Sequence, residues 1–353
     1  MPPTLGKLSP DDLESLILTR LGASRPEVLM GPRAGADAAI VRLGAGRVLA
    51  LTTDPLSLIP ALGPAVSARL AAHLVASDLW TSGIPPAYVT VNLNLPPAIE
   101  DELIAEFTTA LDSAWKELGV AVVAGHSGRY AGLDGTILGA ATMIGVGDEG
   151  RYVTAEMAVP GDRVIVTGGC AIEATAIAAH LMPKRLGAKL EPDQLARARA
   201  LLDQVTVVPA CRALVQAGVR DRGVSAMHDA TEGGVLGGLI ELALASGHDL
   251  RIERARIPIS DESRAACEAW GGIDPYWTLS EGTLIATVRE AYRDAALAAL
   301  FEAGIVAADV GEVMPGHGKL WLTAESGEIA TFEHPEPDPY WPAYERAVRE
   351  KWS

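Results

Sequence analysis

Cysteine is scarce: Cys170, Cys211 and Cys267 are the three in 353 residues, far apart and odd in number. That spacing excludes a disulfide framework and a zinc knuckle and fits a reducing cytoplasm, the location expected for this chain. Basic residues are also few, with 29 Lys and Arg against 45 Asp and Glu, a formal charge of -16. With a pI near 4.9 and no cluster of Lys and Arg, nucleic acid and anionic membrane surfaces are excluded as partners. The longest uncharged stretch, Leu79 to Ile99, is broken by Pro85, Pro86, Pro96, Pro97 and the Asn92/Asn94 pair, so no membrane span is expected. "MPPTLGKLSPDD" has no basic segment followed by an apolar one, so no secretory signal is expected either. Neither GxxxxGK[ST] nor GxGxxG occurs, which disfavours a P-loop or a Rossmann fold.

What is present can bury sizeable cores: 49% of residues are hydrophobic and the mean hydropathy is +0.20. The length exceeds one comfortable core, so two domains are expected. Ser9, Pro10 and the acids Asp11 and Asp12 open a helix that closes at Gly22. "DAAIVRL" and "RVLALTT" read as strands, and the stretch ending "ASDLWTSG" as a helix with Asp78 in its final turn. "AYVTVNLNLP" alternates as a strand, "PAIEDELIAEFTTALDSAWKELG" is an amphipathic helix, and two strands flank the loop "HSGRYAGLDG". The pattern restarts near residue 155. The expected organisation is a lead-in over 1–33, a domain over 34–154, a second over 155–320 and a tail over 321–353. Irregular mixing of strands and helices in both halves predicts an α+β fold.

"MHDATEGGVLGGLIELA", residues 227–243, sets Asp229, Thr231, Glu232 and the pair Gly233-Gly234 ahead of an apolar helical run. Capping of that helix is the ordinary reading of such acids. The glycine pair adds a second one, because paired glycines are kept where backbone must approach something closely, such as a phosphate or a hydrated metal ion. Asp37 in "GADAAI", Asp54 in "TTDP" and Asp78 in "ASDLW" are further acids at element ends with no clear structural duty. Carboxylates gathered without a cation repel one another, so such a cluster implies a metal, and Mg²⁺ prefers carboxylate, phosphate and water oxygens. His126 in "AGHSGRY" reads as a proton carrier, a phosphate contact or a plain loop residue. The other histidines, His73 and His180 among them, read as core or surface residues.

Together "GADAAIV", "LTTDP", "ASDLWTSGIPP", "AGHSG", "PGDRVIVTGG", "MHDATEGGV", "GIDPYWTLSEGTL" and "AADVGEVMPG" resemble, in that order, the aminoimidazole ribonucleotide synthetase superfamily. The similarity spans roughly residues 35 to 315 and is nearest to the branch of the hydrogenase maturation factor HypE. It implies an N-terminal α+β domain that forms a dimeric β-barrel-like interface, a C-terminal α/β domain, and ATP with Mg²⁺ as cofactors. The implied reaction is transfer of the γ-phosphoryl group of ATP to an oxygen of an acceptor, of amide, carboxyl or phosphate type. By motif match Asp37, Asp54, Asp78 and Asp229 would hold metal and phosphates, with Thr231, Gly233 and Gly234 on the nucleotide. His126 would lie beside them as a catalytic residue with Asp229, and Glu281 and Gly282 would line the acceptor side. The implied partners are a small-molecule acceptor or a partner protein, and a second copy of the chain.

The departures from the family pattern shape the alternatives. Ala36 stands where many members carry an acid, which leaves room for a nucleotide-binding regulatory or assembly protein without turnover. The glycine-rich lead-in has Arg33 and no lysine, and neither the purine nor the selenium activity is favoured; a thiamine-monophosphate kinase activity is disfavoured too. The chain ends Lys351-Trp352-Ser353 rather than in the reactive cysteine of HypE, so modification of its own tail is not expected. A maturation factor acting on a partner stays open.

Overall fold

The computed structural model describes residues 5–353, which form two β-sheets with helices packed against them. The first sheet contains β1 (Val28–Met30), β2 (Ala39–Gly44), β3 (Arg47–Ser57), β4 (Tyr88–Leu95), β5 (Ala121–Arg129) and β6 (Ile137–Asp148) in the order β1-β2-β3-β6-β4-β5. β2 and β3 are joined by Ala45 and Gly46, both at positive φ, the conformation a two-residue hairpin demands. β3 and β6 pair antiparallel from Arg47 opposite Asp148 to Ser57 opposite Ile137. β4 pairs β5 in parallel, so β5 is an edge.

The second sheet holds β7 (Arg163–Thr167), β8 (Val224–Ala230), β9 (Asp249–Glu253), β10 (Thr283–Val288), β11 (Ala307–Met314), β12 (Leu320–Thr323) and β13 (Ile329–Phe332), in the order β13-β12-β9-β11-β7-β10-β8. Its pairs are antiparallel except β12 with β9. β8 closes one edge yet is buried along its whole length. The helices Gly63–Thr81 and Gly234–Ser246 pack against it. One of the hydrophobic clusters runs across both sheets, joining Leu79 and Met143 to Met227 and Leu284. The mixed, largely antiparallel arrangement is the α+β fold expected from the sequence.

Boundaries differ where tertiary pairing extends an element. β3 continues through Asp54 and Pro55 to Ser57, because β6 offers partners for all of it. β5 continues through His126 to Arg129, so "HSGR" is strand rather than loop. β8 takes in Asp229, and the following helix starts only at Gly234. The tail adds β13 to the second sheet and ends in the helix Tyr340–Arg349, whose Tyr340, Ala343 and Ala347 are buried against Trp270 and its neighbours. No helix among the described residues is long and apolar enough to cross a membrane.

Candidate metal and nucleotide site

Four acids converge from four elements: Asp37 from the loop before β2, Asp54 from β3, Asp78 from the last turn of the helix Gly63–Thr81, and Asp229 from the end of β8. Thr52 donates its hydroxyl to Asp78 at 3.0 Å, and the Asp229 amide reaches Asp37 at 3.4 Å. Asp229 is 2% exposed, and its Oδ2 is buried with no hydrogen-bond partner among the described residues. Burial raises the Asp229 pKa to about 7, with Asp37 and Asp54 adding repulsion that His228 and Lys7 offset only in part. Asp54 is pushed to about 6 by burial against the opposing pull of Lys7. Asp78 is held well above the carboxylate range by burial and then by Asp229, Asp54 and Asp37. These acids destabilise one another unless a cation or protons sit among them.

The orphaned Asp229 oxygen and the oxygen-rich donor set fit a hard divalent cation such as Mg²⁺. Donor atoms of Asp37, His228 and Asp229 lie within 4.8 Å of one another, but His228 is not free to ligate. Its Nδ1 meets Asp37 Oδ1 at 2.7 Å and its Nε2 meets Glu241 Oε2 at 3.0 Å. With a carboxylate at each nitrogen the ring carries both protons: burial opposes the charge, yet Asp37 and Glu241 outweigh it and hold the His228 pKa well above normal. Glu241 in turn is drawn to about 2, Lys7 and His228 overcoming the cost of its burial. His228, which from the sequence reads as a core or surface histidine, is in the structure the neighbour of Asp37 and Glu241.

The acidic turn ahead of the helix Gly234–Ser246 does not cap it. Gly233 occupies the cap position at φ +82 and has no side chain to cap the helix. The Gly233 amide donates instead to Asp338 at 2.8 Å. Gly234 is at φ +63, and a Cβ there would come within 2.6 Å of the Tyr276 carbonyl. The glycine pair is therefore used by the protein's own backbone and tail. Thr231 and Glu232 face the N-terminal segment: Lys7 Nζ donates to Thr231 Oγ1 at 2.6 Å, and the Lys7 amide to Glu232 Oε2 at 2.5 Å. Desolvation works against the half-exposed Lys7 ammonium, but Glu241, Asp229, Asp37 and Glu281 raise its pKa above the ordinary value.

A cavity of about 370 Å³ is lined by this N-terminal strap, by Asp37, His228 and Glu241, and by residues 335–338 of the tail. Its size suits a small-molecule site. Glu281 is held well above the carboxylate range by burial and then by Asp229 and Glu173. Glu173, buried in the first turn of the helix Ile172–Leu181, is raised to about 8 by burial and by Glu232, Asp338 and Asp54. Ser280 ties these segments together, accepting the Ala171 amide at 2.7 Å while its own amide reaches Thr231. His126 stands apart: it is exposed on β5, its one side-chain hydrogen bond running to Tyr130 at 2.6 Å. Within one chain it forms no hydrogen bond to the acids. Lys7, Glu173, His228, Glu241 and Asp338 escaped the sequence reading; the one available signal was a lone acid, Glu241, in an otherwise uncharged helix.

The fold agrees with comparison to known proteins. Residues 35–147 match the AIR synthase related protein N-terminal domain, and residues 159–322 its C-terminal domain. The chain belongs to the AIR synthase related family. It is an enzyme by that membership. It is 30% identical over 290 residues to carbamoyl dehydratase HypE of Rhizobium leguminosarum bv. viciae, covering 80% of this chain and 78% of the relative. Among solved structures it is similar to the hydrogenase maturation protein HypE in complex with ATP, with a TM-score of 0.67 at 22% identity, covering 95% and 97% of the two chains. It is also similar to AaThiL complexed with AMPPCP and TMP, with a TM-score of 0.66 at 21% identity, covering 85% and 90%. At these identities the structural likeness shows the shared fold.

Proposed function

We propose that this family member is an ATP- and Mg²⁺-dependent enzyme that transfers the γ-phosphoryl group of ATP to an acceptor oxygen. The mutual repulsion of Asp37, Asp54, Asp78 and Asp229, with an orphaned oxygen on Asp229, carries this reading. In the phosphate-binding state Mg²⁺ would supply the positive charge that four carboxylates and a polyphosphate both require. Asp37, Asp54, Asp78 and Asp229 would hold it, and Lys7 would add a direct cation from the strap. That the fold neighbours hold ATP and AMPPCP supports the nucleotide.

The relatives named carbamoyl dehydratase support an amide-type acceptor. Removing water from a carbamoyl group requires its oxygen to leave, and that oxygen leaves poorly. If the oxygen attacks the γ-phosphorus and ADP departs, it becomes part of a phosphate ester that leaves readily once the nitrogen gives up its protons. Glu281 and Glu173, buried carboxyls raised above the carboxylate range, would bind such a nitrogen in their neutral form and take its proton in their ionised form. All three cysteines are buried, so a carbamoyl group carried on a thiol would arrive on another molecule, a partner protein or a small substrate. A second copy of the chain would cover β5, where Val122 and Val123 are more than half exposed, and would bring His126 into the assembly.

The test is calorimetric titration with Mg-AMPPCP, followed by ADP release assays with and without carbamoylated acceptors. Binding that requires Mg²⁺ and is weakened in Asp78→Asn by roughly 1.5–3 kcal/mol supports the reading. Unchanged affinity in that variant removes Asp78 from the site, and no binding by the wild type ends the nucleotide reading.

A further inference from the structure

The helix Gly234–Ser246 is apolar along its thirteen residues except for Glu241 and the terminal Ser246. A carboxylate in such a helix costs stability unless it is paired, and a core helix has no packing need for it. Glu241 is paired twice through one atom. Its Oε2 meets His228 Nε2 at 3.0 Å and lies 3.8 Å from Lys7 Nζ. The other face of His228 holds Asp37 at 2.7 Å, so two short contacts join Glu241 to a site carboxylate. Lys7 belongs to the strap, which is further anchored at Thr231 and Glu232. A third contact is made by backbone: Gly35, at φ +73, lies so close to the Glu241 carbonyl that a Cβ there would collide with it.

We propose that Glu241 is a positioning residue, one carboxylate that sets Asp37 through His228 and seats the N-terminal strap through Lys7. The inference rests on the metal role of Asp37 put forward above. Its role is to hold two elements in register, the loop before β2 and residues 6–9, both of which line the cavity. Loss of its charge frees Lys7 from one anchor and leaves the His228 ring with one carboxylate, so both arms loosen together.

The test compares full-length wild type with Glu241→Gln, which keeps the shape and removes the charge. Two readouts are taken: backbone hydrogen exchange of residues 6–9, and Mn²⁺ affinity without nucleotide, followed by water-proton relaxation. The expected result is exchange faster by about tenfold or more and Mn²⁺ binding weaker by about tenfold, with exchange in the helix Gly63–Thr81 unchanged. A residue that merely packs would lower the melting temperature and move neither readout. Either readout unchanged in a folded Glu241→Gln protein overturns the proposal. Should that variant not fold, Glu241→Asp, charged but too short to span both partners, is measured in the same two ways and judged by the same outcomes. A wild type that binds no Mn²⁺ ends the metal reading, and strap exchange then decides the role of Glu241 alone.

Discussion

Asp338 accepts the Gly233 amide at 2.8 Å across 105 positions of sequence, so the tail completes the turn that carries Thr231 and Glu232. Its other oxygen takes the Tyr340 amide at 2.8 Å, which starts the final helix. Asp338→Ala should leave two partly buried amides unpaired and cost about 2–3 kcal/mol, whereas Asp338→Asn retains one acceptor oxygen and should cost less. Urea denaturation of the three proteins measures the order. Equal stability of wild type and alanine variant would detach the tail from the site.

Gly234 and Gly247 separate close approach from backbone strain. Both have φ near +65, but Gly247 has open space around it while Gly234 abuts Tyr276 and Thr278. Gly247→Ala should cost about 1 kcal/mol, the strain of a left-handed alanine. Gly234→Ala should cost about 3 kcal/mol or more, because backbone must move as well. Thermal melts of the two variants give the comparison, and similar losses would refute the close-approach account.

Asp229→Asn should raise the stability of the metal-free protein by about 1 kcal/mol, since it removes a charge from a mutually repelling buried set. It should also abolish most of the stabilisation by Mg-AMPPCP. Thermal shifts of equal size in mutant and wild type would return Asp229 to a purely structural duty.

The raised acids set a pH dependence. Asp229 at about 7 and Asp54 at about 6 bind protons in the folded protein that they lack when unfolded, throughout the range from about 4 upward. Their contribution to stability is therefore fully present at low pH and lost as pH rises through 6 and 7. His228, raised by its carboxylates, acts in the same direction. The metal-free protein should melt higher at pH 5.5 than at pH 8, and Mg²⁺ should stabilise it more at pH 8, where it no longer competes with protons. A Mg²⁺ effect larger at pH 5.5 would contradict the assignment.

The exposed strand β5 carries a prediction about assembly. Val122 and Val123 are 57% and 55% exposed, and the strand's outer edge is unpaired in the sheet. The protein should run as a homodimer in light scattering at micromolar concentration, and Val123→Lys should shift it to monomer. A monomeric wild type would leave His126 outside any site.

Local order decided much of this protein. The helices Gly63–Thr81 and Asp101–Leu118 and the strand Tyr88–Leu95 were legible because periodicity and glycine stops act within a few residues. The acids Asp37, Asp54, Asp78 and Asp229 were legible as residues that their own elements did not need. What they do to one another was not, since repulsion depends on distance and the chain reveals none. Tertiary structure alone decided that His228 joins Asp37 across 191 positions, that Lys7 reaches Thr231 across 224, and that β6 prolongs β3 past Pro55. Glu241 shows the division most clearly: its sequence marks a charge out of place in an apolar helix, and only the fold brings to it the two cations, Lys7 and His228, that make a buried carboxylate affordable.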